Sequence, residues 1–194
     1  MRNNKTVNKG DVLMGSFKLK YLIIAILLIG VILLFRALFM PGTGISTTSI
    51  PEISVNPASV VAGKGNEFNI NISMNPAGNP ISAVQFNLLF NSSIINIKDV
   101  TEGDFFKQGG AKTAFSSGIL DKKRGALTNV WGLIITPGAN ATAKGTLATI
   151  TIYASDAGTS QLDLTDVIIS NPGNNSIQIK IINGSVGVKE LHKR

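Results

Sequence analysis

Two pairs of carboxylates lie close along the chain, Glu102 with Asp104 and Asp163 with Asp166. Paired carboxylates are what glycoside hydrolysis or oxygen ligation of calcium would require. Both pairs fall at strand ends or turns in the reading below, where acidic side chains serve local backbone hydrogen bonds, and neither has the spacing of an EF-hand loop. The sole histidine, His192, stands in KELHKR, too near the chain end to be held rigidly in a Ser/His/Asp arrangement. Cysteine is absent, which excludes disulfides and thiolate-bound metal. No catalytic set, cofactor or resident metal is therefore assigned.

Two aromatic rings carry polar handles that could serve sugar stacking. Trp131 lies in NVWGLII and reads as half-buried strand packing, whereas Tyr153 in TITIYAS shares its facing with Thr149 and Thr151 and reads as outward. Five N-x-S/T triplets, beginning at Asn71, Asn91, Asn140, Asn174 and Asn183, have the pattern of N-linked glycan acceptors for a host that glycosylates exported proteins, and an Asn/Ser/Thr-rich β protein also contains such triplets by chance. The net charge of +7 is concentrated before residue 41, so the remainder is nearly balanced. With no aromatic interleaving among its basic residues, the chain is not read as binding nucleic acid.

The elements that must position these residues begin after an apolar run. YLIIAILLIGVILLF, Tyr21 to Phe35, continues past Arg36 to Met40, giving about 20 residues, enough for a helix to cross a bilayer. Arg36 lies near one end, where its side chain can snorkel to the headgroups. Residues 1–20 carry Arg2, Lys5, Lys9, Lys18 and Lys20 against Asp11 alone, which places the N-terminus in the cytoplasm and the rest of the chain outside. The following PGTGISTTS has linker composition and no A-x-A cleavage pattern, so residues 21–40 are read as an uncleaved anchor and 41–49 as a linker.

From residue 50 to 188 the pattern is all-β. Strict alternation marks Phe68 to Ile72 and Val84 to Leu88, and further strands are predicted at Ile94 to Val100, Leu127 to Ile135, Gly145 to Ala154, Gln161 to Leu164 and Ser176 to Val188. Turns rich in Gly, Pro, Asn and Asp separate them, and Asn183-Gly184 offers a tight turn or bulge in the last pairing. Residues 189–194 form a tail. Many short strands with regular turn signals indicate one antiparallel sandwich or barrel. Phe90, Phe105, Phe106 and Phe115 are assigned to its core.

The blocks VAGKGNEFNINISM, ISAVQFNLLFNSSIINIKDVTEGDFF, GTLATITIYASDAGTSQLDLTDVIIS and INGSVGV together resemble a cohesin domain over about Ile53 to Val188. Phe90-Asn91 stands where that family has an aromatic followed by Asp, and Gly103-Asp104-Phe105-Phe106 where it has a glycine and an apolar pair. The resemblance implies a jelly-roll sandwich of about nine strands, related to carbohydrate-binding modules. It also implies capture of a dockerin, a small calcium-loaded module of an exported protein, often one that degrades polysaccharide, so that calcium belongs to the partner. The family binds through one flat sheet face. Transferred here by alternation, that face presents Ala83, Gln85, Asn87 and Leu89, with Gln85 where related cohesins commonly have Asp. An amide keeps the hydrogen bonding and loses the charge. Direct carbohydrate binding through Trp131 and Tyr153, and a structural role in the cell envelope, are the other readings open at this point.

Overall fold

The computed structural model describes residues 49–173 and 175–190. The expected cytoplasmic segment, the membrane helix at 21–40, nearly all of the linker, Asn174 and His192 lie outside these residues. The described residues form one compact unit.

Alternation builds the unit. β3 (Glu67–Asn75) turns Ile70, Ile72 and Met74 inward, β4 (Ala83–Phe90) turns Val84, Phe86, Leu88 and Phe90 inward, and β9 (Gly145–Ala154) adds Ile150 and Ile152. Opposite residues on each strand meet solvent, as the period-2 geometry of a strand requires. Around these lie β1 (Glu52–Asn56), β2 (Ser59–Gly63), β5 (Ile95–Glu102), β6 (Thr113–Ser116), β7 (Ile119–Asp121), β8 (Ala126–Ile134), β10 (Gly158–Ser170), β11 (Lys180–Ile182) and β12 (Gly184–Lys189). A five-stranded sheet has the order β11-β1-β3-β9-β5, and a seven-stranded sheet has the order β2-β12-β10-β4-β8-β6, with β7 also paired to β8. The two inner faces enclose one core, the jelly-roll sandwich expected from the sequence.

Twelve segments stand where about nine strands were expected. Both terminal strands change sheet partway along, β1 passing into β2 and β11 into β12, and they do so side by side. β11 runs parallel to β1, and β12 parallel to β2. The predicted single run from Ser176 to Val188 is therefore corrected: the strand begins only at Lys180, and Asn183 is not a tight turn or bulge within one pairing but the point at which the chain crosses between sheets. Its side-chain Oδ1 accepts from the Leu164 N–H at 3.0 Å, and its Nδ2 donates to Asp163 at 2.9 Å. A side chain at Gly184 would lie 2.6 Å from Val55 Cγ1, so the crossing strands meet in contact that only glycine permits.

The GDFF segment closes one end of the sandwich. A Cβ on Gly103 would sit 2.1 Å from the carbonyl oxygen of Thr146, and one on Gly145 would sit 2.9 Å from Cα of Phe105. The two glycines thus let the backbones touch. The Gly103 N–H donates to the Leu147 carbonyl at 3.1 Å, and the Thr146 N–H donates to Asp104 Oδ1 at 2.7 Å. Held this way, a short 3-10 segment (Phe105–Gly110) buries Phe105 beside β9 and Phe106 against Gly132 of β8, with the rings edge-on at 4.8 Å. Phe90 is also buried, and Phe115 packs against the core at its margin.

At another end Lys64 lies 2.7 Å from Asp156 and 3.1 Å from Glu190, joining the β2–β3 turn, the β9–β10 turn and the residue after β12. The hydrogen bond from Lys64 holds the Asp156 carboxyl below its usual range, and the same bond raises the Lys64 ammonium above its own.

Candidate functional site

The outer face of the seven-stranded sheet gathers apolar surface. β4 lies at its centre, between β10 and β8, and sends Ala83, Gln85, Asn87 and Leu89 outward as the alternation predicts. Gln85 is the register partner of Ile168 on β10 and of Trp131 on β8, and Ala83 is the partner of Leu133. Directly opposed residues share a face, so these side chains form cross-strand rows. Ile168, Gln85, Trp131 and Leu133 line a shallow groove of about 320 Å³. Ile168 is 50% exposed and Leu89 41%, and Ile119 on β7 and Val61 on the edge strand β2 are separate exposed apolar residues of the same sheet, with polar residues of β10 and β12 between Val61 and β4. The outer face of the five-stranded sheet is polar by contrast, with Ser54, Asn71, Ser73, Thr149 and Thr151 directed outward. An apolar groove rimmed by polar side chains is one kind of surface on which another protein docks.

The sequence-predicted residues divide accordingly. Gln85 and Leu89 stand free on the apolar face. Asn87 lies there too, but its amide is committed within the sheet: Oδ1 accepts from the Asn129 N–H at 2.8 Å and Nδ2 donates to Asp166 at 2.7 Å. Trp131 is half-buried, as read, and forms a wall of the groove. Tyr153 does face outward, but on the five-stranded sheet, where Lys98 Nζ lies 5.8 Å from its ring centre. The two candidate stacking rings therefore sit on different sheets and do not form a common platform.

Neither carboxylate pair converges on a ligand. Glu102 is paired with Lys107 at 3.0 Å, Asp104 holds the Thr146 N–H, and Asp163 and Asp166 each accept from an asparagine amide. Among the described residues no three His, Cys, Asp or Glu side chains gather as a metal site would require. Of the triplet asparagines, Asn71 lies mid-sheet and accepts from the Thr149 hydroxyl at 2.9 Å, while Asn140 is exposed in the β8–β9 loop. Asn91 accepts from the Ser93 N–H at 3.0 Å, which is the turn-capping role expected of the residue in the family's Asp position.

Sequence reasoning missed that Leu133 and Ile168 share the face of Gln85. It also missed that Asn129 and Asp166 bracket Asn87. Both facts depend on register between strands remote in sequence, for which no local signal exists.

Residues 53–188 match the family described as Cohesin domain. Among solved structures, the cohesin of a type I cohesin–dockerin complex from Clostridium thermocellum is similar at a TM-score of 0.60 and 15% identity, covering 73% of this chain and 95% of that one. The seventh ScaB type I cohesin of Pseudobacteroides cellulosolvens is similar at 0.56 and 20%, covering 74% and 95%. A non-cellulosomal cohesin from the hyperthermophilic archaeon Archaeoglobus fulgidus is similar at 0.55 and 14%, covering 73% and 92%. No curated protein matches the chain.

Proposed function

The chain belongs to the cohesin family, and from that premise we propose that it captures a dockerin-bearing protein through the outer face of its seven-stranded sheet, while residues 21–40 hold it in a membrane with the sandwich outside the cytoplasm. Cohesins are binding modules, and this chain is read as a non-catalytic one. The observation that carries the reading is the row Ile168–Gln85–Trp131, with Leu89 exposed farther along β4, on a sheet whose counterpart in the sandwich is polar. A rigid sheet needs little ordering on association, so apolar contact made on it is converted efficiently into affinity. Several similar structures are cohesins solved in complex with dockerins, which supports the same class of partner here. With Gln85 at the centre, the face recognises its partner by hydrogen bonds and apolar contact. Calcium is expected on the dockerin, whose parent protein acts on polysaccharide, and the apolar run and its basic flank support the anchor.

Residues 48–194, titrated calorimetrically with dockerins encoded by the same genome, are expected to bind only when calcium is present. Gln85→Ala, Leu89→Ala and Ile168→Ala should each weaken binding by about fivefold or more if they lie at the centre of the contact. Absence of heat with every dockerin would overturn the reading, as would unchanged affinity in all three variants. Protease treatment of intact cells tests the anchor: digestion of the sandwich with retention of the first 20 residues is expected.

A further inference from the structure

We infer that Asn87 is a positioning residue, whose amide locks the two bulges that flank β4 and thereby sets the walls of the groove. The inference rests on the binding face proposed above. On β10 the register with β4 shifts between Thr165 and Ile168, and on β8 it shifts between Leu127 and Val130. At each shift one non-glycine residue takes a left-handed backbone, Asp166 with φ 49° and Asn129 with φ 56°. Asn and Asp tolerate that conformation better than most residues, but it still has to be held in place by surrounding contacts.

Asn87 supplies contacts to both. Its Oδ1 accepts from the backbone N–H of Asn129 at 2.8 Å, while its Nδ2 donates to the carboxylate of Asp166 at 2.7 Å. A carboxamide carries a donor and an acceptor on one planar group, so a single side chain can reach a backbone donor on one side and a carboxylate on the other. The groove walls follow from this. Trp131 lies two residues beyond Asn129, and Ile168 two residues beyond Asp166. Both are register partners of Gln85. Bulges re-aim the side chains that follow them, and a slip of one residue would turn each wall to the opposite face. Asn87 therefore fixes where Trp131 and Ile168 stand, and Gln85 lies on the floor between them.

The test uses the full chain and three variants: Asn87→Ala, Asn87→Asp, and Asn87→Asp combined with Asp166→Asn. Amide hydrogen exchange at Asn129 is expected to accelerate about tenfold or more in Asn87→Ala, with little change in β3 and β9. Emission of Trp131, the sole tryptophan, should shift with it. Asn87→Asp sets two carboxylates against each other and should behave at least as badly. The double variant should recover both signals, because a carboxylate at position 87 can accept from the Asn129 N–H and from the amide introduced at 166. Affinity for a dockerin that binds the native chain should fall about tenfold in the single variants and return in the double one.

Unchanged exchange at Asn129 in Asn87→Ala overturns the inference. Equal acceleration across both sheets does so too, since that reports general destabilisation. Failure of the double variant to recover exchange and emission has the same force, as does a native affinity retained by a chain whose Asn129 protection is lost. If the native chain binds no dockerin, the proposed partner falls, while exchange, emission and their recovery still decide whether Asn87 holds the groove.

Discussion

Replacing Gly103 by alanine should be among the most damaging single-methyl changes in the sandwich. The added Cβ would lie 2.1 Å from the Thr146 carbonyl oxygen and 2.6 Å from its carbonyl carbon, both of them backbone atoms. No rotamer change relieves that contact, so the end of β5 must separate from the start of β9 by roughly 1.5 Å to reach ordinary packing distance. Overpacking of this kind costs about 1–3 kcal/mol. The movement also strains the bond from Gly103 to Leu147 and that from Thr146 to Asp104, each worth about 1 kcal/mol. A total loss of about 3–5 kcal/mol follows, a large share of the roughly 5–15 kcal/mol that holds a domain together. Urea unfolding of residues 48–194, followed by circular dichroism, measures it. Gly78→Ala is the control: its φ is 83°, but a Cβ there has nothing within 4 Å, so it reports backbone strain alone and should cost about 1–2 kcal/mol. If Gly103→Ala is no worse than Gly78→Ala, backbone contact is not the reason for glycine at 103, and the account of the GDFF segment fails.

The Lys64 cluster should give stability a dependence on pH at both extremes. The Asp156 carboxyl is lowered from 3.8, so its contribution is present above that value and is lost as pH falls through the lower folded one. The Lys64 ammonium is raised from 10.5, so its contribution is present below that value and is lost as pH rises through the higher folded one. Melting temperatures of the native chain and of Lys64→Ala should therefore converge in strong acid and strong base and differ only between, by a small margin that salt reduces; a constant difference at every pH would refute the assignment. At the sheet crossing, Asn183→Ala should cost about 1–2 kcal/mol through loss of its bonds to Leu164 and Asp163, and an unchanged urea midpoint would show that the crossing does not depend on them.

Much of the fold was legible because burial on one face writes itself into the sequence as alternation. β3, β4 and β9 are of this kind, and Gly145 to Ala154 coincides with β9 from end to end. β10 was only partly legible: the prediction stopped at Leu164, while the strand continues to Ser170. The bulge at Asp166 interrupts the period of two, so a local reading loses the strand where the backbone loses its register. β6 and β7 are short and half-buried, with too few residues to establish any period. The division of β11 from β12 was hidden for a different reason. Ile177, Ile179, Ile181 and Val186 suggest one run, and only the pairing partners reveal that the run serves two sheets. For the binding face, the outward direction of Gln85 and Leu89 could be read from β4 alone. Its groove could not, because Trp131 and Ile168 come to Gln85 through register.

The side-by-side sheet changes of the terminal strands bear on how the chain can be made. Glu52 and Lys180 are bonded at 2.9 Å although they lie 128 positions apart, and among the described residues β2 finds its one sheet neighbour in β12. Synthesis delivers β1 and β2 first, yet β2 must wait, unpaired, until almost the last described residue has been added. Pairings this remote close slowly, and an open strand edge invites pairing with other chains in the interval. β2 carries Val61, 64% exposed even in the finished sandwich, so the waiting strand is an apolar one. The order of the strands therefore makes the last strand of the sandwich the step that ends its period of vulnerability, and loss of β12 would prolong that period indefinitely.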